Sequence, residues 1–162
     1  YPFVLKGNGG GEGRQVWLVE NEADLEEKLE TLLHFELQGR SGFVIQEFIE
    51  ALERDLRVVV IGDQIFSYWR TAQGFLHNVA QGGGLDAVSD QDLQAAGREK
   101  VREFCGRSGI NLAAFDLIFP AGENDPVFLE INYTFGRRGL GGSEEFYLLL
   151  RQAVDKWLQV VS

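Results

Sequence analysis

Pairs of apolar, strand-like runs joined by turns do most to limit the folds open to this chain. Leu56 to Ile61 is joined to Gln64 to Arg70 through Gly62-Asp63, and Leu112 to Phe119 is joined to Val127 to Asn132 through Ala121 to Pro126. A two-residue turn with glycine closes an antiparallel hairpin, whereas parallel neighbours need a crossover of about a dozen residues. Phe3 to Leu5 and the strand through Val16, Leu18 and Val19 form another pair, around a tip carrying Gly7, Gly9, Gly10, Gly11 and Gly13. Phe43, Val44 and Ile45 read as a buried strand, and Phe75 to Val79 is a candidate for one more.

Between these strands the apolar spacing becomes helical. Leu25, Leu29, Leu32 and Leu33 follow Asn21, with Glu22 and Asp24 in the first turn, so a helix is predicted over about Glu22 to Glu36. Ser89 and Asp92 read as a capping box that opens a helix through Leu93, Val101 and Phe104, ending before Gly106 or Gly109. A last helix is predicted from about Ser143 to Val160. The expected class is α+β with mostly antiparallel strands, and 162 residues suit one compact domain or two small lobes.

Charge and composition remove several functions. A formal net charge of -10 gives no source for the general phosphate attraction behind nucleic-acid or anionic-membrane binding, so neither partner is expected. No apolar run approaches the roughly 20 residues of a membrane span, and the lone Cys105 cannot close an internal disulfide, which makes the cytoplasm the expected location. The chain opens on a strand-like run and has no Met, which reads as the removal of an upstream segment.

The most informative polar cluster is Asp116 with Glu130-Ile131-Asn132. Strand side chains alternate between faces, so Glu130 and Asn132 point one way, and antiparallel pairing brings Asp116 beside them. Two carboxylates and an amide carbonyl suit Mg(II), a hard cation that also keeps waters and takes phosphate oxygens. The same three residues equally describe the solvent side of a half-exposed hairpin. Lys6 and the glycines that follow it let backbone N-H groups approach a phosphate beside a point charge, or they form an ordinary hairpin tip. Gln46, Glu47, Phe48, Ile49 and Glu50 leave an apolar strand and offer surface for a flat ring, though most such strand ends are core. Arg57 and Arg70 sit inside strands, as cations for a transferred phosphoryl group or as partners of a carboxylate such as Glu47.

Taken in order, Lys6 with its glycine loop, Gln46 to Glu50, Asp55-Leu56-Arg57, Asn78, Asp116 and Glu130-Ile131-Asn132 resemble the ATP-grasp superfamily, in the branch of glutathione synthetases and ribosomal-protein glutamate ligases. The resemblance implies two α+β lobes with largely antiparallel sheets holding ATP between them: residues 1–47 as a small lid lobe and 48–162 as a large lobe with the metal site. It implies ATP contacts from Lys6, Gly9, Gly10, Gly11, Gln46, Glu47, Phe48, Ile49, Glu50, Asp55 and Asn78. Asp55 or Glu50 falls near the ribose and Asn78 near the phosphates. Asp116, Glu130 and Asn132 match the family's metal ligands, for two Mg(II) ions, and Arg70 or Arg57 matches a catalytic cation.

The implied reaction is that of a carboxylate-amine ligase: ATP phosphorylates a small-molecule or peptide carboxylate, and an amine attacks the acyl phosphate. The alternative is a regulatory domain that binds ATP without ligation. Relatives often carry Asn-x-x-Pro-Gly after the metal ligands, whereas this chain has Asn132-Tyr133-Thr134-Phe135-Gly136 and then Arg137-Arg138. Those arginines are either a substrate loop or solvated. The family's N-terminal domain, with an earlier phosphate-contacting Lys, is not in this chain, so this piece alone is expected to be inactive.

Overall fold

The structure, a computed structural model, describes residues 1–8, 15–40, 42–71 and 84–161. Gly9, Gly10, Gly11, Asn78 and the candidate strand Phe75 to Val79 lie outside the described residues. The chain divides into two compact units, Tyr1–Glu50 and Ala51–Ser162. No helix among the described residues is long and apolar enough to cross a membrane.

The first unit contains β1 (Phe3–Gly7), β2 (Val16–Val19), α1 (Glu22–Leu37) and β3 (Phe43–Glu47). The strands form an antiparallel sheet in the order β2-β1-β3. Asn21 caps α1 as its sequence predicts, accepting the backbone N-H of Asp24 at 3.0 Å. Gly7 marks the side facing the helix, because an added Cβ would stand 3.3 Å from Leu32. Leu5 and Val19 are fully buried. The third strand differs from expectation: Phe43, Val44 and Ile45 are 52%, 55% and 57% exposed. The cause is position, since β3 is an edge strand and α1 packs against β2.

The second unit holds β4 (Arg54–Ile61), β5 (Gln64–Thr71), β6 (Gly84–Asp86), α2 (Gln91–Ser108), β7 (Leu112–Ile118), β8 (Val127–Asn132) and α3 (Ser143–Val161). The sheet order is β6-β5-β4-β7-β8, and all neighbours are antiparallel. Both expected hairpins are present, and β6 is a short addition the sequence did not announce. Alternation gives this sheet two different faces. Leu56, Val58, Val60, Trp69, Ala113, Phe115 and Leu117 face α2 and build one core, in which the rings of Phe104, Phe115 and Phe128 stand 5.2 to 5.9 Å apart.

The other face is divided along the strands. Val59, Ile61, Tyr68 and Ala114 pack with Leu140, Phe146 and Ala153 into a second core. Further along the same strands the side chains become Asp55, Arg57, Arg70, Asp116, Glu130 and Asn132. One end of the face is thus apolar, and the other carries charge.

The start of α2 corrects the capping-box reading. Its N-cap is Asp90, at φ 46°, and no side chain caps the helix. Asp90 is instead bound by Arg54, whose guanidinium also lies 4.1 Å above the Trp69 ring. The Ser89 carbonyl accepts the Trp69 indole N-H and the Gln94 amide, while its own N-H goes to Asp86. At the other end Gly109 takes φ 74° and donates to Cys105, the glycine stop the sequence predicts.

Candidate functional site

The charged half-face is organised by pairing register. Asp116 lies opposite Arg57 on one side and Glu130 on the other, and Asn132 is opposite Ala114, one step along the same face. A bulge after Asp116 shifts the remainder of the β7-β8 ladder, so Leu117 pairs with Phe128.

Arg57 grips Asp116 with two parallel bonds, Nε to Oδ1 and Nη2 to Oδ2, each 2.8 Å. Arg70 Nη2 also reaches Asp116 Oδ2 at 3.0 Å, and Asn132 Nδ2 donates to the same oxygen at 3.2 Å. Arg70 turns the remainder of its guanidinium to Asp55, with Nε 2.9 Å from Oδ2 and Nη2 on the same oxygen. Asp55 is 0%, Asp116 3% and Arg70 8% exposed, so these charges interact largely shielded from solvent. The carboxylate that Arg57 meets within its own unit is Asp116. Asp55, expected beside a ribose, is fully buried on Arg70.

The environment acts on each charge. Burial disfavours the Arg57 charge, but its bond to Asp116 and the nearby anions leave it above its ordinary value. Burial raises the Tyr68 phenol, against the pull of Arg57 and Arg70. Burial pushes Asp55 up to about 6, with Arg70 opposing. Between 3.8 and about 6 the folded chain therefore holds a proton that the unfolded chain has released. The resulting stability is complete below 3.8 and is lost as pH rises through about 6, with a slope on the order of 1.4 kcal/mol per pH unit. Thermal midpoints of the wild type relative to Asp55→Asn should accordingly fall across that window, and a flat or rising difference would contradict the reading.

The oxygen donors on this face decide whether it can hold a divalent cation. Among the described residues no group of three or more His, Cys, Asp or Glu side chains is arranged to hold a metal ion. The oxygen donors here are two carboxylates and one amide. A carboxylate offers about four lone-pair positions. Among the described residues three donors converge on Asp116 Oδ2, whereas Oδ1 accepts only from Arg57 Nε. Glu130 is exposed, and its carboxylate has no hydrogen bond or ion pair among the described residues. Asn132 gives its Nδ2 to Asp116, which leaves its carbonyl oxygen as the acceptor. Hard oxygen donors on one face fit Mg(II).

The first unit places Lys6 opposite Val44 and Val16, and Gln46 opposite Val4. Lys6 and Gln46 therefore project from the sheet face away from Gly7 and α1. Gln46 Oε1 is buried with no partner among the described residues. Glu47 and Glu50 are exposed, and Phe48 and Ile49 are half-buried.

The loop after β8 separates its two arginines. Arg137 stacks on the rings of Phe146 and Tyr147, at 4.4 and 4.7 Å, and its carbonyl accepts from Leu140 and Gly142. Arg138 is exposed, at the start of a single 3-10 turn. Glu144 and Glu145 fill the first turn of α3 and supply negative charge to that helix end. Sequence reading also missed Tyr68. It shares a face with Arg70 at two-residue spacing, and its ring fills the space a Cβ on Gly139 would need, so it joins this loop to the charged cluster.

The fold belongs to a known class. The chain matches the RimK-like ATP-grasp domain over residues 1–144 and is a member of that family. It is 30% identical over 119 residues to the alpha-aminoadipate–LysW ligase LysX of Sulfurisphaera tokodaii, spanning 72% of this chain and 41% of that protein. Among solved structures, the RimK domain ATP-grasp protein of Sphaerobacter thermophilus superposes with a TM-score of 0.67 at 22% identity, over 94% of this chain and 53% of that one. D-alanine–D-alanine ligase from Bacillus anthracis, complexed with ATP, gives 0.60 at 18% identity, over 82% and 41%. These likenesses establish the ATP-grasp fold. The chain spans under half the length of the LysX relative.

Proposed function

We propose that this chain is the ATP- and Mg(II)-binding part of a carboxylate-amine ligase that works through an acyl phosphate. The observation that carries the proposal is the charged half-face, where Asp116, Glu130 and Asn132 present oxygen donors beside Arg57 and Arg70. Glu130, Asn132 and the open position on Asp116 Oδ1 would hold the divalent cation, for which two ions are proposed. Such a cation offsets charge on the phosphates and on the phosphoryl group in transfer.

The protein's own contribution is positioning. Arg57 is fixed by its paired bonds and orients Asp116, while Arg70 adds a second buried cation within reach of the same carboxylate. Phosphoryl transfer needs chiefly alignment and charge neutralisation, which a rigid sheet supplies. On the first unit, Lys6 is proposed as a phosphate contact and Gln46 to Ile49 as contacts to the nucleotide base. The exposed Arg138 is the loop cation available to a substrate carboxylate, since Arg137 is stacked on two rings. A substrate carboxylate takes the γ-phosphoryl group, ADP leaves, and an amine then displaces phosphate from the acyl carbon. In the intact protein, ADP release should therefore require Mg(II), a carboxylic acid and an amine acceptor. ATP binding of normal strength with no ADP release, across a broad panel of acids and amines, would instead establish a regulatory nucleotide-binding domain.

A further inference from the structure

The buried charges on the site face balance two against two, Arg57 and Arg70 against Asp55 and Asp116. The balance is unevenly shared. Asp116 meets both guanidinium groups, whereas Asp55 meets Arg70 alone among the described hydrogen bonds and ion pairs. Arg70 directs Nε and Nη2 to Asp55, and only Nη2 also reaches Asp116. Because the guanidinium is a rigid planar fork, the orientation that satisfies Asp55 keeps Nε off Asp116.

Part of the placement of Asp55 works against stability. It is 0% exposed, and its Oδ1 is buried with no partner among the described residues, an arrangement that disfavours folding. Full burial also denies it direct contact with a ligand. Its measurable consequence is on Arg70, and through Arg70 on Asp116.

We propose that Asp55 is a positioning residue that limits Arg70 to a single nitrogen on Asp116 Oδ2 and so keeps the rest of that carboxylate available to a divalent cation. The inference rests on the reading of Asp116, Glu130 and Asn132 as cation ligands. Asp55→Asn leaves the cluster with an unmatched positive charge and frees Arg70 to close on Asp116. Both effects oppose a cation at the same carboxylate.

The test uses Mn(II) as the probe, followed by electron paramagnetic resonance in the full-length protein with a saturating non-hydrolysable ATP analogue. Asp55→Asn should weaken Mn(II) binding about 10- to 100-fold, the range seen when a residue that orients a metal ligand is lost. Adding Arg70→Gln to Asp55→Asn restores charge balance, and the double variant should return to within about threefold of the wild type, a recovery that a purely structural role for Asp55 would not give. Wild-type affinity in Asp55→Asn overturns the proposal, as does a double variant no better than the single one. If Asp55→Asn does not fold, Arg70→Gln alone decides: Mn(II) should bind more tightly than in the wild type, and equal or weaker binding overturns the proposal. A Mn(II) site that Glu130→Ala abolishes but Asp55→Asn leaves unchanged defeats this inference alone. If Glu130→Ala has no effect on Mn(II), the ligand reading falls as well.

Discussion

Glu130→Ala is expected to reduce ligation by the intact protein at least about 100-fold while leaving its fold untouched, since one well-placed charge-stabilising contact in a site carries effects of about that size. The structural reason for an intact fold is that Glu130 is exposed on β8 and its carboxylate makes no hydrogen bond or ion pair among the described residues. A surface change of that kind alters stability by about 0.5 kcal/mol or less. The chemical reason for the loss is position, because Glu130 stands directly opposite Asp116, with Asn132 on the same face. A carboxylate without a partner among the described residues, facing a carboxylate held by two arginines, is placed to serve a ligand. Steady-state ADP release and a thermal midpoint on the same sample separate the two effects. Full activity in Glu130→Ala would remove this residue from the site.

Asp116→Ala should produce the opposite pattern, with a large loss of stability. Arg57 has 13% side-chain exposure and loses both bonds to its carboxylate, while Arg70 keeps Asp55. Removing one member of a buried ion pair strands the other charge and costs about 3–5 kcal/mol. For a domain whose total stability is about 5–15 kcal/mol, much of the folded population would be lost on mild heating. Urea unfolding measures this directly, and Asp116→Asn should recover part of it by keeping an acceptor for Arg57. A cost below about 1 kcal/mol would mean that Asp116 does not anchor the arginines.

The hairpins of the second unit were legible because the chain marks their turns locally. Gly62-Asp63 fixes the β4-β5 register, and the period of two along β8 places Glu130 and Asn132 on one face. That register also contained information the motif reading did not use. Asp55 and Arg70 stand the same number of places from the turn and are therefore opposite one another, which makes their ion pair readable from sequence. The pairing of β4 with β7 joins residues far apart in the chain, so no local signal assigns Asp116 to Arg57. The exposure of Phe43 to Ile45 was hidden for a related reason. A run of apolar side chains does not say whether its strand is central or at an edge.

The stacking of Arg137 on Phe146 and Tyr147 depends on the loop returning to the start of α3, which spacing alone does not reveal. The helix start at Asp90 shows a tertiary override. Arg54 takes the carboxylate that would otherwise cap the helix, and the turn before it is held by Asp86, which accepts the N-H groups of Val88 and Ser89.

The central claim is that the charged half-face binds a nucleotide through a divalent cation. Calorimetric titration of ATP into the protein, with Mg(II) and then with a chelator in its place, tests it most directly. The structure predicts binding that depends on Mg(II) and that Glu130→Ala abolishes. ATP binding indifferent to Mg(II) and to Glu130, or no ATP binding by the intact protein with Mg(II) present, would contradict it.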